Sequence, residues 1–193
     1  MSIATQLAFT IEQYLEFERN SEQRHEFFQG EIREMTGGTQ WHIFIILNIY
    51  RSMWEQLPKS EYSIAVTTMR VKIISSDLYT YPDLVVVKGK PQLEDERQDT
   101  WLNPILLMEV LSNSTEKYDR GKKFMHYQAI PGFQEYVLVA QDRPEIEHYV
   151  RDEAGNWQHR QYQSLTETLT LNSIPCSIPL STIYDRIELS QGS

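Results

Sequence analysis

An α/β fold with a mixed central sheet flanked by helices is what this 193-residue sequence predicts, and three observations carry the expectation. Two runs, Asp83-Leu84-Val85-Val86-Val87 and Ile105-Leu106-Leu107-Met108-Glu109-Val110-Leu111, are almost continuously apolar, as central strands covered on both faces should be. From Trp41 to Leu57 the chain sets Ile45, Ile46, Ile49 and Met53 on one long helix stopped by Pro58. The order helix, strands, helix, strand then packs helices against a mixed sheet.

The elements follow from local chemistry. Thr10 is a candidate N-cap for a helix over residues 10–25, with Ile11, Tyr14, Leu15 and Phe17 at near-helical spacing. Phe27 to Ile32 reads as a turn into a short strand, bent at Gly30 and ended by Gly37-Gly38. Ile64, Val66, Met69, Val71 and Ile73 alternate with a phase slip at Thr67-Thr68, which predicts one strand with a bulge or bend. Residues 88–103 are polar and acidic, hence an exposed connection. A helix is expected over residues 115–129, then a strand at 135–140 and a hairpin of 146–150 with 157–162. The tail from Leu169 to Ile187 holds Pro175 and Pro179 and reads as irregular or edge structure. The expectation is a single domain over 1–193. Its core lies at about 41–150, with an N-terminal helix and hairpin in 1–40 and a C-terminal β extension in 151–193.

Composition narrows the function classes. With 27 acidic against 18 basic residues the formal charge is −9, so a general positive field for nucleic acid or anionic membrane is excluded. A polyanion would have to meet a local basic patch. The lone cysteine, Cys176, rules out an internal disulfide or a multi-cysteine metal centre. Residues 1–10 lack the pattern of a secretory signal, and the longest apolar runs fall far short of a membrane span. A cytoplasmic protein is expected.

Two carboxylates stand out because they fall in apolar strands. Asp83 follows Pro82 at the start of one run and Glu109 interrupts the other. A buried carboxylate is costly unless it is paired, hydrogen-bonded or bound to a metal. Two of them on neighbouring strands make an oxygen-rich pocket suited to Mg²⁺; the competing reading has Glu109 at a sheet end or paired with an arginine. Between Glu116 and His126 lie Lys117, Arg120, Lys122 and Lys123 against only Glu116 and Asp119, a local excess of positive charge. Lys123 can lean back over the Glu109 strand or pair with Asp119 four residues away.

Together these residues resemble a family. Tyr81-Pro82-Asp83-Leu84-Val85-Val86-Val87, then Met108-Glu109-Val110-Leu111-Ser112, then Asp119-Arg120-Gly121-Lys122-Lys123 with Tyr127, are similar to the restriction-endonuclease domain family of the PD-(D/E)XK nuclease superfamily. Gly30-Glu31, His42 and Glu135-Tyr136 match the same pattern, so the resemblance spans about residues 10–150. It implies a restriction-endonuclease-like core and a metal-dependent endodeoxyribonuclease, with DNA as partner and a homodimer as assembly. It makes Asp83 and Glu109 metal ligands, with the carbonyl of Val110 as a third, for Mg²⁺ with Mn²⁺ as substitute. The lysine that usually stands two residues after the glutamate is replaced here by Leu111, so the resemblance moves that role to Lys123, with Lys122 in reserve. Glu31 and His42 are available to complete the site. Lys117, Arg120 and Lys122, with Arg70 and Lys72 as further candidates, would touch phosphates.

Other readings are weaker. The five histidines show no paired metal-ligand spacing, Gly37-Gly38-Thr39 lacks the rest of a phosphate loop, and the four tryptophans are scattered. The alternative of a different class is a catalytically weak or inactive nuclease-fold module that acts by binding.

Overall fold

The computed structural model describes residues 8–35, 37–112 and 114–189; most of the 1–10 stretch read for a signal lies outside them. Helix α1 (Ile11–Asn20) leads into a hairpin of β1 (His25–Phe28) and β2 (Glu31–Glu34), and α2 (Gln40–Gln56) follows. Then come β3 (Tyr62–Val66), β4 (Arg70–Ile73), β5 (Leu78–Thr80), β6 (Leu84–Lys88), β7 (Thr100–Trp101) and β8 (Leu106–Leu111). A helical segment runs through α3 (Glu116–Tyr118), a π turn (Asp119–Lys123) and α4 (Phe124–Tyr127). It is followed by β9 (Glu135–Ala140), β10 (Ile146–Arg151), β11 (Trp157–Tyr162), β12 (Thr168–Thr170), β13 (Ser177–Pro179) and α5 (Leu180–Ile183).

Among the described residues the strands form a six-stranded sheet, order β11-β10-β9-β8-β6-β3, and a five-stranded sheet, order β2-β1-β5-β4-β7, with β12-β13 as a separate pair. The large sheet is mixed: β8 and β9 run parallel, while β6–β8, β3–β6 and both β10 pairings are antiparallel. Successive side chains on a strand point to opposite faces, so each apolar run feeds two cores. Leu84, Val86, Met108 and Val110 meet Ile45, Ile49 and Met53 of α2. Val85, Val87, Leu107 and Leu111 meet Val71, Leu78, Phe124 and Tyr127 on the other side. No helix among the described residues is long and apolar enough to cross a membrane.

Three expectations change. The segment read as one bulged strand is two strands in different sheets, β3 and β4. Thr67 between them takes a left-handed φ of 48°, and its N–H donates to the Asp83 carbonyl at 3.0 Å. The phase slip therefore marks a crossing between sheets. The polar connection at 88–103 contributes β7, and its acids answer buried cations. Fully buried Arg70 donates to Thr100 Oγ1, Tyr81 Oη and Asp99 Oδ1, and Lys72 to Glu94 Oε1. The tail is core rather than edge: Leu169, Leu171, Ile178, Leu180 and Ile183 are buried beside α2 and the large sheet.

Glu135, at the start of β9, ties that tail down. It is buried and accepts from the N–H groups of Asn172 (2.7 Å) and Ser173 (2.9 Å) and from the Ser173 hydroxyl, with His148 Nε2 at 2.5 Å. Burial alone would raise its carboxyl, but the bonds from His148, Ser173 and Asn172 hold it below its ordinary value. A depressed carboxylate stabilises the fold above its unfolded pKa, and that contribution fades as pH falls through the folded value. Glu135→Gln should therefore cost about 1–3 kcal/mol in urea unfolding at pH 7, and the gap to wild type should narrow below about pH 4.

Candidate active site

Pro82 has no N–H with which to extend a ladder, so β6 opens beside Asp83 and leaves that carboxylate at the sheet's end. The β6–β8 register pairs Leu84 with Met108. Asp83 stands one residue before that pairing and Glu109 one residue after it, and both line one cleft. Asp83 Oδ2 accepts from the Val110 N–H at 2.7 Å, and Oδ1 lies 3.0 Å from His42 Nε2. His42 is in the first turn of α2. Thr39 caps that helix by accepting from the His42 N–H, and its hydroxyl donates to Gln141 Oε1 at 2.7 Å. Gly38 leaves room for the imidazole: a Cβ there would sit 2.7 Å from His42 Cδ2.

Glu109 is buried in β8, and its Oε1 takes both the Lys123 ammonium (2.9 Å) and the Tyr127 hydroxyl (2.8 Å). Lys123 is itself buried, 3.4 Å from Asp119 Oδ1 and 3.5 Å from Glu26 Oε1. Asp119, Lys123 and Tyr127 are spaced by four. In a regular α-helix residues eight apart drift by about 80° around the axis; the wider π turn over Asp119–Lys123 takes up part of that drift and keeps all three toward Glu109. Desolvation pushes the Glu109 carboxyl up, against the pull of Lys123. Burial would lower the Lys123 ammonium, yet Glu109, Glu26 and Asp119 hold it well above its ordinary value. Lys123 therefore stays charged.

These groups bound a cleft of about 360 Å³ whose lining includes Gly38, Thr39, His42, Asp83, Glu109 and Lys123. Three carboxylates, from Glu109, Asp119 and Glu26, surround one ammonium, Asp83 adds a fourth beside them, and Asp119 Oδ1 is buried with no hydrogen-bond donor. That surplus of negative oxygen suits a hard cation. Among the described residues no three His, Cys, Asp or Glu side chains form a closed metal cage. Mg²⁺ does not need one, since it is usually held by one or two carboxylates with waters and substrate phosphates.

The structure thus brings Asp83, Glu109, Val110, His42 and Lys123 to one cleft. Glu31 is not among them: it is exposed on the edge strand β2, at the turn end of the hairpin opposite Phe28. Glu26, on the inner strand β1, is the acid that reaches Lys123. Lys122 and Lys117 are exposed, while Arg120 is bound by Glu116 and by Glu147, the latter at 2.6 Å. Arg70 and Lys72 are structural cations, already engaged by Asp99 and Glu94. Sequence reasoning missed Asp119, Tyr127 and Glu26 as members of the site. The four-residue spacing around Lys123 could have flagged the first two. Nothing local marks Glu26, whose place depends on β1 pairing with β5.

Three substitutions test this geometry. Gly38→Ala should keep the fold but shift the ¹⁵N resonances of the His42 ring as the imidazole leaves Asp83. Gly37→Ala, which has open space around its Cβ, should not. Lys123→Met leaves three carboxylates without their cation and should lower stability by about 3–5 kcal/mol in chemical denaturation.

Comparisons with known proteins place this geometry. Residues 11–182 match the model of the Uma2 family, described as "Putative restriction endonuclease". Two uncharacterized proteins of Synechocystis sp., sll1609 and slr1290, are 35% and 34% identical to it. The alignments cover 81% and 90% of this chain and 89% and 90% of theirs. A crystal structure from Anabaena variabilis, described as a "putative nuclease belonging to DUF820", superposes with a TM-score of 0.71 at 16% identity. That match covers 91% of this chain and 97% of the other, and it shows the shared fold. With a restriction-endonuclease-like fold and a match over most of its length, the chain belongs to the Uma2 family.

Proposed function

We propose that the protein is a Mg²⁺-dependent endonuclease that hydrolyses phosphodiester bonds in DNA. The observation that carries this reading is that Asp83, just before β6, and Glu109 of β8 line one cleft with the Lys123 ammonium, which lies 2.9 Å from Glu109. Asp83, Glu109 and the Val110 carbonyl would hold Mg²⁺, with Mn²⁺ as substitute. When bound, the ion supplies Lewis-acid stabilisation of phosphate charge and acidifies a water.

The chain's own residues do the rest. The Val110 N–H and His42 orient the Asp83 carboxylate, while Tyr127 and Lys123 fix Oε1 of Glu109. Lys123, kept charged, orients the attacking water and offsets negative charge that builds on the phosphate. Lys117 and Lys122, exposed on the helical segment beside the cleft, would contact flanking phosphates. Arg120 joins them only by releasing Glu116 and Glu147. The buried lone cysteine is consistent with a reducing, cytoplasmic setting.

A second reading rests on a specific feature. Lys123 is enclosed by three carboxylates, which would suit a nuclease-fold module that binds without cutting. Nicking of supercoiled plasmid in Mg²⁺ separates the two. Wild type should cut and be silenced by EDTA, and Asp83→Ala and Glu109→Ala should each lose on the order of 10²-fold or more. Cleavage that survives both substitutions would show that the site is wrongly assigned. Wild type that neither cuts nor takes up Mn²⁺ in calorimetry would favour the binding module. An RNA of the same sequence, left intact while DNA is cut, would establish the substrate.

A further inference from the structure

Helix α2 has two faces, and among the described residues only one is covered. Ile45, Ile46, Ile49 and Met53 are buried against the large sheet. The other face exposes Ile43 (48%), Phe44 (38%), Leu47 (51%) and Trp54 (60%). An outward helix face is ordinarily charged. Of the 17 residues in α2, only Arg51 and Glu55 carry a full charge.

Phe44, Leu47, Arg51 and Trp54 follow one another at intervals of three, four and three residues, the spacing of a seam on which a second helix packs. We propose that this face of α2 packs against the same face of a second copy of the chain, antiparallel about a two-fold axis. An axis at the level of Ile49 sets Phe44 across from Trp54 of the second copy. It also sets Leu47 across from Arg51, whose methylene stem covers it while the guanidinium stays at the rim. The face is self-complementary, as a two-fold contact requires.

Area and charge both select a second copy. The four exposed apolar side chains leave on the order of 400 Å² uncovered. Doubled by the two-fold and extended by Tyr50, Arg51 and the helix backbone, the contact reaches the roughly 1,200 Å² at which specific interfaces begin. Each chain carries −9, so two copies approach most readily where charge is least, and α2 is such a stretch. Nucleic acid or an anionic bilayer would find a single cation there, Arg51. The pairing leaves each cleft at the N-terminal end of its own α2, at opposite ends of the helix pair. The proposal stands independently of the phosphodiesterase reading.

Sedimentation velocity of the full chain from about 1 to about 100 µM tests it. Wild type should sediment at twice the 22.8 kDa chain mass. Leu47→Glu and Trp54→Glu, both at exposed positions and checked for folding by near-UV circular dichroism, should raise the dimer dissociation constant at least tenfold. Met125→Glu, at an equally exposed apolar residue elsewhere (60%), should leave it unchanged. A monomeric wild type, or dimers that persist unchanged in both α2 variants, overturns the proposal. A monomer that floats with neutral phosphatidylcholine vesicles would do the same and assign the face to a bilayer.

Discussion

A carboxylate in the middle of a strand that is covered on both faces has no water to turn to, and in this protein the Lys123 ammonium takes that role for Glu109. The pair joins the central sheet to the helical segment that follows it. Removing Lys123 would leave Glu109 buried without its cation, which costs several kcal/mol. Much of the surrounding architecture serves that contact. The π turn keeps Lys123 and Tyr127 on the side of Glu109. The hairpin β1–β2 joins the small sheet through β5 and thereby brings Glu26 to the same ammonium. Asp119 supplies a third acid from within the turn itself.

The site gathers more acid than it neutralises. A single buried lysine cannot balance four carboxylates, so the site keeps a surplus of negative oxygen of the kind that suits a divalent cation. On the proposed reading this would also reconcile an acidic chain with a polyanionic substrate, because a metal would offset charge at the one place where phosphate must dock. Three cations considered for phosphate contact are already engaged: Arg70, Lys72 and Arg120 all lie in ion pairs with the protein's own acids. Lys117 and Lys122 of the helical segment stay exposed. On the proposed reading, the protein would recognise nucleic acid through a small, metal-centred site rather than through a broad basic surface.

Local chemistry made much of this legible in the sequence. The uninterrupted apolar runs of β6 and β8 read as central strands because both their faces are buried, and Asp83 and Glu109 stood out because charge in such runs needs a reason. The long helix α2 and the hairpin bent at Gly30 follow from periodicity and turn chemistry. Less legible was the split between β3 and β4. A left-handed residue at Thr67 and a bulge leave the same phase slip in the pattern, and only sheet pairing separates them. The tail misled for a related reason: its prolines mark interrupted structure, but burial against α2 is a property of packing.

The sequence by itself determined the α/β class, the family, the two strand carboxylates and the lysine-bearing helix, since each rests on residue type and spacing within a short window. The tertiary structure alone decided which acids meet Lys123. Glu31 and Glu26 are equally acidic and lie on the same hairpin, yet one sits on an edge strand at the turn and the other on the inner strand facing Lys123. It also decided that Lys123, rather than Lys122, turns inward, and that one face of α2 is left uncovered. Such outcomes depend on strand order and helix rotation, which arise from contacts between residues far apart in the chain.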